Sequence, residues 1–397
     1  MASAVVMSIL LFIAHRRTSA LPTDLSVRSH GVCQRLALVI PATAPSAVYD
    51  IPEVTNDITT TAWAAWDAAW STPHNASSII HNTTISGVFN INAQLCMPTA
   101  PDRRNVLQIA THGAHYDSRY WDSRYSPEEH SYVDATLNAG YAILTYDRLG
   151  AGQSDILDGY TGVQAPLELE ILHQLTLMAR NGTLYQLAHP MKEASPDLSR
   201  SLTRPEKVLH IGHSFGSVLT SAFIATYGPL SDGASITGFL LTDKLASAGS
   251  TAWALEYAGR APYHRPSGYA VSQKSGIQTI FFGGTPYEAF TPELLAYGDA
   301  IKQPIAVGEI ASAFWVLGRL GPEFKGPLQY LLPEFDFYIC RGDCKGVANA
   351  TQLAQTYPNA AEIEVVIQPN TGHALPLHKN ATAGFQLTYD FFGRHDL

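Results

Sequence analysis

The chain has little charge, few cysteines and no long apolar run. Charged residues make up 15% of its 397 residues, Asp and Glu outnumber Lys and Arg by 34 to 25, and the net charge is −9. No run of Lys or Arg could follow a phosphate backbone, which argues against nucleic acid as a partner. Neither internal repeats nor low-complexity segments stand out. With 46% hydrophobic residues, the composition indicates an ordinary globular protein.

The N-terminal segment has the apolar core of a signal peptide. The apolar run at residues 2–14 is too short for a comfortable membrane span and is typical in length of a signal sequence. Small residues follow, and we expect cleavage after Ala20, which removes residues 1–20 and leaves no stable membrane span. Arg16 and Arg17 follow the apolar run instead of preceding it, so a retained anchor stays open as the alternative.

Glycosylation sequons and cysteines both favour the secretory lumen or secretion. Sequons of the form Asn-x-Ser/Thr begin at Asn75, Asn82, Asn181, Asn349 and Asn380. The even number of cysteines permits two disulfides in an oxidising compartment. Cys33 and Cys96 lie in two strand-like segments that a bridge could join, and Cys340 and Cys344 could close a small loop. Spacing alone does not decide the pairing, and free thiols remain the alternative.

Alternating strand-like and helical segments predict an α/β fold. Strand-like runs lie at 106–111, 141–146, 207–211, 236–242, 335–340 and 363–367. Helical patterns lie between them at 167–178, 217–225 and 347–357. Strands joined by helical crossovers imply a mostly parallel sheet with helices on both faces.

The same pattern suggests four parts of the mature chain. Residues 21–105 carry strand-like runs and a helix with three tryptophans, and we assign them to the core. Residues 106–243 and 334–397 form the rest of that core. Residues 244–333 interrupt the alternation of strand-like and helical segments, because they are rich in Gly, Pro, Tyr and Phe. We expect this segment to be an insert that caps the carboxyl edge of the sheet.

Five residues, Gly212-His213-Ser214-Phe215-Gly216, fit the G-x-S-x-G pattern of a nucleophile elbow. They follow the strand-like run 207–211 and precede the helical run 217–225. Such a turn needs small residues because it leaves almost no room for side chains, and it exposes the serine hydroxyl. The sequence therefore predicts Ser214 as a nucleophile.

A serine hydroxyl is a weak nucleophile and needs a base within hydrogen-bond reach, which a carboxylate orients. The loop Pro369-Asn370-Thr371-Gly372-His373 follows the last predicted strand, where a histidine can reach back over the sheet edge. We therefore expect His373 to be the base, in preference to the nearby His378.

The acid is expected between the serine and the histidine along the chain. The candidates are Asp243, Asp336 and Asp343. Asp343 follows the predicted strand 335–340, whereas Asp243 ends the predicted strand after the elbow helix. We favour Asp343 and keep Asp243 as the alternative acid.

The oxyanion of a tetrahedral intermediate needs two preorganised donors. One should be the backbone N–H of Phe215, and the other should come from Ala114 or His115, after His112-Gly113. The same segment permits a metal site made of its two histidines and Asp117, but no further ligand cluster supports it. We therefore expect neither a metal nor a cofactor.

Taken in chain order, these segments resemble the α/β-hydrolases. The matching motifs are Thr111-His112-Gly113, the segment 146–154, the elbow and the histidine loop. More narrowly, the chain resembles a fungal group of secreted-type α/β-hydrolases with paired N-terminal cysteines, often found in natural-product gene clusters such as cytochalasan-type pathways. The resemblance runs from about Cys33 to Phe392 and implies catalytic roles for Ser214 and His373. The segment before Asp343 is shorter than the Gly-x-x-Asp strand end usual in that family.

We expect a hydrolase that cleaves an ester, thioester or related acyl bond of a small apolar molecule, in fungal secondary metabolism. Ser214 would attack, His373 would take and return the proton, and Asp343 would orient the imidazole. One alternative, implied by the resemblance, is a Knoevenagel-type condensation or cyclisation enzyme in which His373 acts as a base toward carbon. The other is a ligand-binding protein on the same fold, without turnover.

Overall fold

The computed structural model describes residues 25–70, 78–99, 103–188, 191, 204–241, 249–282 and 289–397. The expected signal peptide, the Asn75 sequon and Asp243 lie outside these ranges. None of the helices within them has the length and apolarity that crossing a membrane requires.

A nine-stranded sheet forms the centre of the fold. In spatial order its strands are β1 (Leu25–Arg28), β2 (Gly31–Tyr49), β3 (Ile79–Pro98), β5 (Tyr141–Tyr146), β4 (Arg103–Thr111), β6 (Lys207–His213), β7 (Gly233–Thr237), β11 (Leu328–Pro333) and β12 (Ile363–Gln368). Neighbours are parallel from β5 onward in this order and antiparallel before it. The mostly parallel sheet confirms the predicted α/β fold.

Helices connect the strands and cover the sheet. In chain order they are α1 (Asp57–Trp70), α2 (Pro127–His130), α3 (Tyr132–Asn138), α4 (Ala165–Arg180), α5 (Thr183–Leu187), α6 (Phe215–Thr226), α7 (Gly249–Ala252), α8 (Lys274–Ile277), α9 (Pro292–Ala300), α10 (Val307–Val316), α11 (Phe337–Cys340), α12 (Ala350–Thr356) and α13 (Ala381–Arg394). Every residue of β5 is buried. Because successive side chains of a strand point to opposite faces, the sheet is covered on both faces there.

The first strands form a long antiparallel ribbon at one side of the sheet. Along β2, buried and exposed residues alternate, as expected when one face packs on the core. Cys33 lies opposite Cys96 in the register of β2 and β3, and a disulfide joins them. A second disulfide joins Cys340 to Cys344. The structure thus contains both disulfides that the sequence permitted.

The strand predicted at 335–340 is wrong. The core strand in this part of the chain is β11, and residues 337–340 form the short helix α11. β11 pairs in parallel with both β7 and β12, so the sheet resumes at Leu328, inside the segment expected to be an insert. Helix α11 forms because the Asp336 side chain caps it by accepting a hydrogen bond from the N–H of Ile339.

The segment between β7 and β11 carries a second, smaller sheet. Its strands lie in the order β10 (Ile305–Ala306), β9 (Tyr269–Ser272) and β8 (Leu255–Tyr257). We call residues 249–282 and 289–327 of this segment the insert. Its side chains contact the loops at the carboxyl ends of the parallel strands, as described below.

Candidate active site

Ser214 occupies the sharp turn between β6 and α6. Its backbone has φ 52° and ψ −117°, and a positive φ is uncommon for a residue with a Cβ. Close packing requires the flanking glycines. A Cβ at Gly216 would lie 2.1 Å from the carbonyl oxygen of Thr111, and one at Gly212 would lie 2.6 Å from the carbonyl oxygen of Gly216. Ser214 therefore lies at the carboxyl end of β6 with the N-terminus of α6 directly behind it.

His373 and Asp336 form a buried pair at the same edge of the sheet. Asp336 lies in the loop after β11 and His373 in the loop after its parallel neighbour β12. The Nδ1 atom of His373 lies 2.5 Å from Oδ2 of Asp336, and both side chains are at most 1% exposed. In the tautomer whose Nδ1 donates to this carboxylate, Nε2 keeps its lone pair and can accept a proton.

Asp343, the acid favoured from the sequence, is not paired with His373. It is exposed, and its Oδ1 accepts a hydrogen bond from the N–H of Lys345. The prediction was wrong because it placed the strand at 335–340. Since β11 ends at Pro333, the loop that follows it carries Asp336, which chain order had included among the candidates.

His378, the alternative base, supports the histidine loop. Its Nε2 accepts a hydrogen bond from the N–H of Gly372, and its Nδ1 donates to the carbonyl oxygen of Ala374. Burial lowers the pKa of His378 to about 4, so the ring is neutral. With both ring nitrogens bonded to the backbone, His378 is not available as a base.

The elbow and the histidine loop meet through the imidazoles of His213 and His373. Their ring centroids lie 4.9 Å apart. Gly238, just after β7, makes this approach possible, because a Cβ there would lie 2.8 Å from Cε1 of His213 and 3.5 Å from Cε1 of His373. The carboxyl ends of the parallel strands thus bring Ser214, Asp336 and His373 to one edge of the sheet.

The loop after β4 packs against the elbow. A Cβ at Gly113 would lie 2.9 Å from Cβ of Ser214. His112 holds this loop, since its Nδ1 donates to the carbonyl oxygen of Gly113 at 2.8 Å and its Nε2 accepts from the N–H of Arg148 at 2.9 Å. Burial lowers the pKa of His112 well below its usual value, which keeps the ring in the neutral form that this pattern requires.

The three residues predicted to supply oxyanion donors lie at this junction. Phe215 follows Ser214 and begins α6, while Ala114 and His115 lie in the loop after β4. Among the hydrogen bonds of the described residues, none has the backbone N–H of Phe215, Ala114 or His115 as its donor. The backbone N–H groups of these three residues thus have no hydrogen-bond acceptor within the described part of the chain.

Arg148 joins the loop after β4 to the insert through buried ion pairs. Its Nη1 donates to both carboxylate oxygens of Glu168 at 2.9 Å, and its Nη2 donates to Glu309 of the insert at 2.6 Å. Its Nε donates to the carbonyl oxygen of His112, and its guanidinium lies 4.7 Å from the ring centroid of Phe215. Sequence reasoning missed this network because Glu168 and Glu309 lie far from Arg148 in the chain and in no motif.

Aromatic rings surround the His373 imidazole. The ring centroid of Phe281, from the insert, lies 5.5 Å away and that of Tyr338 lies 6.0 Å away. Tyr116 packs edge-on against Phe281 at 4.8 Å. Ser214 is only 7% exposed. The surroundings of the serine and histidine are therefore apolar and almost closed to solvent.

A metal site at the two histidines and Asp117 does not fit the contacts. Both ring nitrogens of His112 are bonded within the protein, and the Asp117 carboxylate accepts from Arg119 at 2.6 Å. Within the described ranges, no group of three or more His, Cys, Asp or Glu side chains could hold a metal ion.

The described sequons differ in how accessible the asparagine is. The exposed ones are Asn82, Asn181 and Asn349. Asn380 is half-buried, and its Oδ1 accepts from the hydroxyl of Thr371 at 2.7 Å. Its Nδ2, the atom that a glycan would modify, donates to the carbonyl oxygen of Pro369. Glycosylation of Asn380, like that of the three exposed asparagines, stays a prediction.

Comparison with known proteins identifies a family. A sequence model of the Alpha/beta hydrolase family matches residues 109–384, which is more than half of the 397-residue chain. The matched part contains the elbow, Asp336 and His373. No curated protein matches the chain in sequence.

Several solved hydrolase structures are similar to the chain at low identity. A thermophilic esterase from Thermogutta terrifontis is 13% identical, with a TM-score of 0.45, over 78% of this chain and 94% of that one. The enol-lactonase from Burkholderia xenovorans LB400 is 12% identical, with a TM-score of 0.47, over 77% and 97%. The alpha/beta hydrolase GrgF from Penicillium sp. sh18 is 16% identical, with a TM-score of 0.46, over 77% and 94%. Nothing about the reaction follows from these weak similarities.

Proposed function

The chain belongs to the α/β-hydrolase family, and from this premise we propose that it is a serine hydrolase with Ser214, His373 and Asp336 as its catalytic triad. The observation that carries the proposal is the buried 2.5 Å hydrogen bond between Nδ1 of His373 and Oδ2 of Asp336. It lies at the edge of the sheet where β6 ends in the elbow. A histidine oriented by a carboxylate beside an elbow serine is the arrangement that acyl transfer requires.

In the proposed reaction, Oγ of Ser214 attacks the acyl carbon while Nε2 of His373 takes the hydroxyl proton. The imidazolium then gives this proton to the leaving oxygen or sulfur, and a water molecule hydrolyses the acyl-enzyme by the same steps in reverse order. Asp336 stabilises the imidazolium that forms transiently. The backbone N–H groups of Phe215 and Ala114 are the proposed donors to the oxyanion.

The surroundings of the site support an apolar acyl substrate. Phe281 and Tyr338 flank His373, and the insert from which Phe281 comes is our proposed cap. Such walls favour an ester or thioester of a small, largely apolar molecule. The motif resemblance to secreted-type fungal hydrolases supports a role in secondary metabolism. The two disulfides are compatible with the oxidising secretory lumen. The proposed signal peptide directs the chain to this compartment.

A condensation or cyclisation reaction is the second candidate. The observation that favours it is the near-complete exclusion of solvent from His373, which is 1% exposed. Condensation releases water, and a dry site keeps a carbanion from being quenched by solvent. In this reaction His373 removes a proton from carbon, and Ser214 only holds an oxygen. Condensation of a β-keto amide with a carbonyl in the same molecule, read by mass spectrometry as the loss of one water, would then persist in Ser214→Ala and stop in His373→Ala.

The proposed hydrolysis is tested with p-nitrophenyl esters and thioesters of increasing acyl size. We expect turnover by the wild type and a loss of at least about 10³-fold in kcat in Ser214→Ala, because the nucleophile is gone. Thermal unfolding of both proteins checks that the variant is folded. A folded wild type without turnover on the whole panel, or equal turnover by Ser214→Ala, would contradict the proposal.

A further inference from the structure

All three nitrogens of the Arg148 guanidinium donate hydrogen bonds. Nη1 donates to the carboxylate of Glu168 at 2.9 Å. Nη2 donates to the carboxylate of Glu309 at 2.6 Å and to the carbonyl oxygen of Gly113 at 3.3 Å. Nε donates to the carbonyl oxygen of His112 at 3.0 Å. The planar guanidinium therefore joins two carboxylates to two adjacent carbonyls of the loop after β4.

The two carboxylates that hold Arg148 come from different parts of the fold. Glu168 lies in the first turn of α4, which belongs to the core, and Glu309 lies in the first turn of α10, which belongs to the insert. None of the three side chains is more than 4% exposed. Buried ion pairs are screened little by salt, and a planar guanidinium bound from two sides has little freedom to turn. The carboxylates thus fix the guanidinium against the loop.

The two carbonyls lie next to the proposed oxyanion donor Ala114. A peptide group is planar and trans, so the carbonyl of Gly113 and the N–H of Ala114 point in opposite directions. The Gly113 oxygen accepts from Nη2 of Arg148 at 3.3 Å and from Nδ1 of His112 at 2.8 Å. These two bonds therefore set the direction of the Ala114 N–H, which points away from Arg148.

Glycine at position 113 makes such a restraint necessary. A Cβ at Gly113 would lie 2.9 Å from Cβ of Ser214 and 3.1 Å from the carbonyl oxygen of His213. The close packing of the loop on the elbow therefore excludes a side chain here. Without a Cβ, the backbone can adopt a wider range of φ and ψ. Hydrogen bonds to the neighbouring carbonyls restrict this rotation where the loop contacts the nucleophile.

The guanidinium also contacts the residue that carries the other proposed donor. It lies 4.7 Å from the centroid of the Phe215 ring, a distance at which a cation is attracted to an aromatic face. Phe215 is buried at the start of α6, directly after Ser214. Arg148 thus contacts both segments that supply the proposed oxyanion donors.

We propose that Arg148 is a positioning residue for the oxyanion site. Glu168 and Glu309 orient its guanidinium, and the guanidinium fixes the peptide group between Gly113 and Ala114 so that the Ala114 N–H is held as a donor. This inference rests on the proposed function for the reaction. It adds a residue that acts through the backbone of the loop and links the oxyanion site to the insert.

The first test is the variant Arg148→Lys. Lysine keeps the charge for the two carboxylates, but it lacks the planar fork and cannot also hold the loop carbonyls. For the best p-nitrophenyl ester, we expect kcat to fall at least about 10-fold while KM changes less than about 3-fold, because the oxyanion forms only in the transition state. Complete loss of a donor costs about 10²–10³-fold, and the remaining bond from His112 limits the effect.

Phenylboronic acid gives a readout that a loss of stability alone would not change. Its boron accepts the oxygen of Ser214, His373 takes the hydroxyl proton, and the tetrahedral adduct places an oxygen where the oxyanion forms. We expect its dissociation constant to rise at least about 10-fold in Arg148→Lys, in parallel with the fall in kcat. Thermal unfolding, measured beside it, reports the stability of the variant.

The matched control is Arg180→Lys. Arg180 also donates to a backbone carbonyl, that of Leu230 at 2.9 Å, and to a carboxylate, that of Asp232 at 2.5 Å. Leu230 and Asp232 precede β7, so they lie at the opposite edge of the sheet from Ser214. We expect kcat and the dissociation constant of phenylboronic acid to stay within about twofold of the wild-type values.

A third measurement needs no turnover. With ¹³C in the glycine carbonyls and ¹⁵N in the alanines, an HNCO spectrum shows only alanines that follow a glycine, which are Ala114, Ala151 and Ala234. The variant Ala114→Ser assigns the Ala114 signal, and Ala234, inside β7, is the internal reference. We expect the Ala114 signal to shift or broaden in Arg148→Lys and to stay unchanged in Arg180→Lys.

Unchanged kcat and boronate affinity in a folded Arg148→Lys protein, or equal losses in Arg180→Lys, would overturn the positioning role. If Arg148→Lys does not fold, the triple variant Arg148→Met, Glu168→Gln, Glu309→Gln should show the same losses, because it removes the buried charges together and leaves no ion unpaired. A wild type that hydrolyses no ester would reject the proposed hydrolysis. The Ala114 signal then decides alone, and an unchanged signal in Arg148→Lys would overturn the positioning role.

Discussion

Replacing Asp336 with asparagine removes the carboxylate that orients His373. In the structure, Oδ2 of Asp336 accepts from Nδ1 of His373 at 2.5 Å, while Oδ1 accepts from the N–H of Ile339 at 2.8 Å. Asparagine has one side-chain oxygen, so it can keep only one of these two bonds. If the oxygen caps helix α11, the amide N–H faces His373 and favours the tautomer protonated at Nε2. The base then has no lone pair toward Ser214.

The expected loss of activity is large and the expected loss of stability is small. Removing the carboxylate of a triad while keeping its geometry lowers kcat by roughly 10⁴-fold. That factor corresponds to about 5.5 kcal/mol in the activation free energy. Asparagine can also cap helix α11, so any weakening of this cap in Asp336→Asn should lower the free energy of unfolding by no more than about 1–2 kcal/mol.

The assay is the kcat for the best p-nitrophenyl ester, measured beside thermal unfolding, with Asp343→Asn as the matched control. Asp343 is exposed, and its carboxylate accepts a hydrogen bond from the backbone N–H of Lys345. The kcat of Asp343→Asn should therefore stay within about twofold of the wild-type value. The reasoning is refuted if Asp343→Asn loses more activity than Asp336→Asn. A folded Asp336→Asn protein with more than about a tenth of the wild-type kcat would refute it as well.

Three further predictions concern stability and the elbow. The Cys33–Cys96 disulfide closes a loop of 63 residues. Replacing both cysteines with alanine should therefore lower the free energy of unfolding, measured by urea titration, by about 4 kcal/mol. An unchanged urea midpoint would contradict this. Gly216→Ala should abolish ester turnover, because its Cβ would lie 2.1 Å from the carbonyl oxygen of Thr111; a soluble, fully active variant is the opposing result. Burial raises the pKa of the Glu168 carboxyl above its usual value, although the ion pair with Arg148 opposes this shift. A raised native pKa adds stability at low pH, and this contribution is lost as the pH rises through the native pKa. Between about pH 5 and about pH 9, the urea midpoint of the wild type should therefore fall more than that of Glu168→Gln, and equal falls count against the assignment.

The elbow and the histidine loop could be predicted because each is a local pattern. The G-x-S-x-G glycines are required by contacts within a few residues of Ser214 and with the neighbouring strand β4. The predicted strand 141–146 coincides with β5, and the predicted strand 207–211 lies within β6. These strands are buried and flanked by clear turn signals, so local pattern and tertiary context agree there.

The acid could not be located in the same way. Residues 337–340 have strand-like side chains, but the Asp336 cap begins a helix there instead. The true strand, β11, follows a Gly- and Pro-rich stretch that pattern alone assigned to the insert. Strand preference depends on neighbouring strands, and the pairing of β11 with β7 and β12 is not visible in sequence.

Contacts between distant segments also escaped sequence reasoning. Arg148 meets Glu168 and Glu309 in a buried network, and Trp253 of the insert meets His115 of the loop after β4. Neither set forms a motif, because the fold alone brings the members together.

Labelling with a fluorophosphonate probe tests the central claim, an activated serine at residue 214, most directly. We predict that the folded wild type takes up one probe molecule, which peptide mapping places on Ser214. Ser214→Ala should take up none, and His373→Ala should react far more slowly, since the base no longer removes the hydroxyl proton. A folded wild type that stays unlabelled, or that is labelled at another serine, would contradict the account.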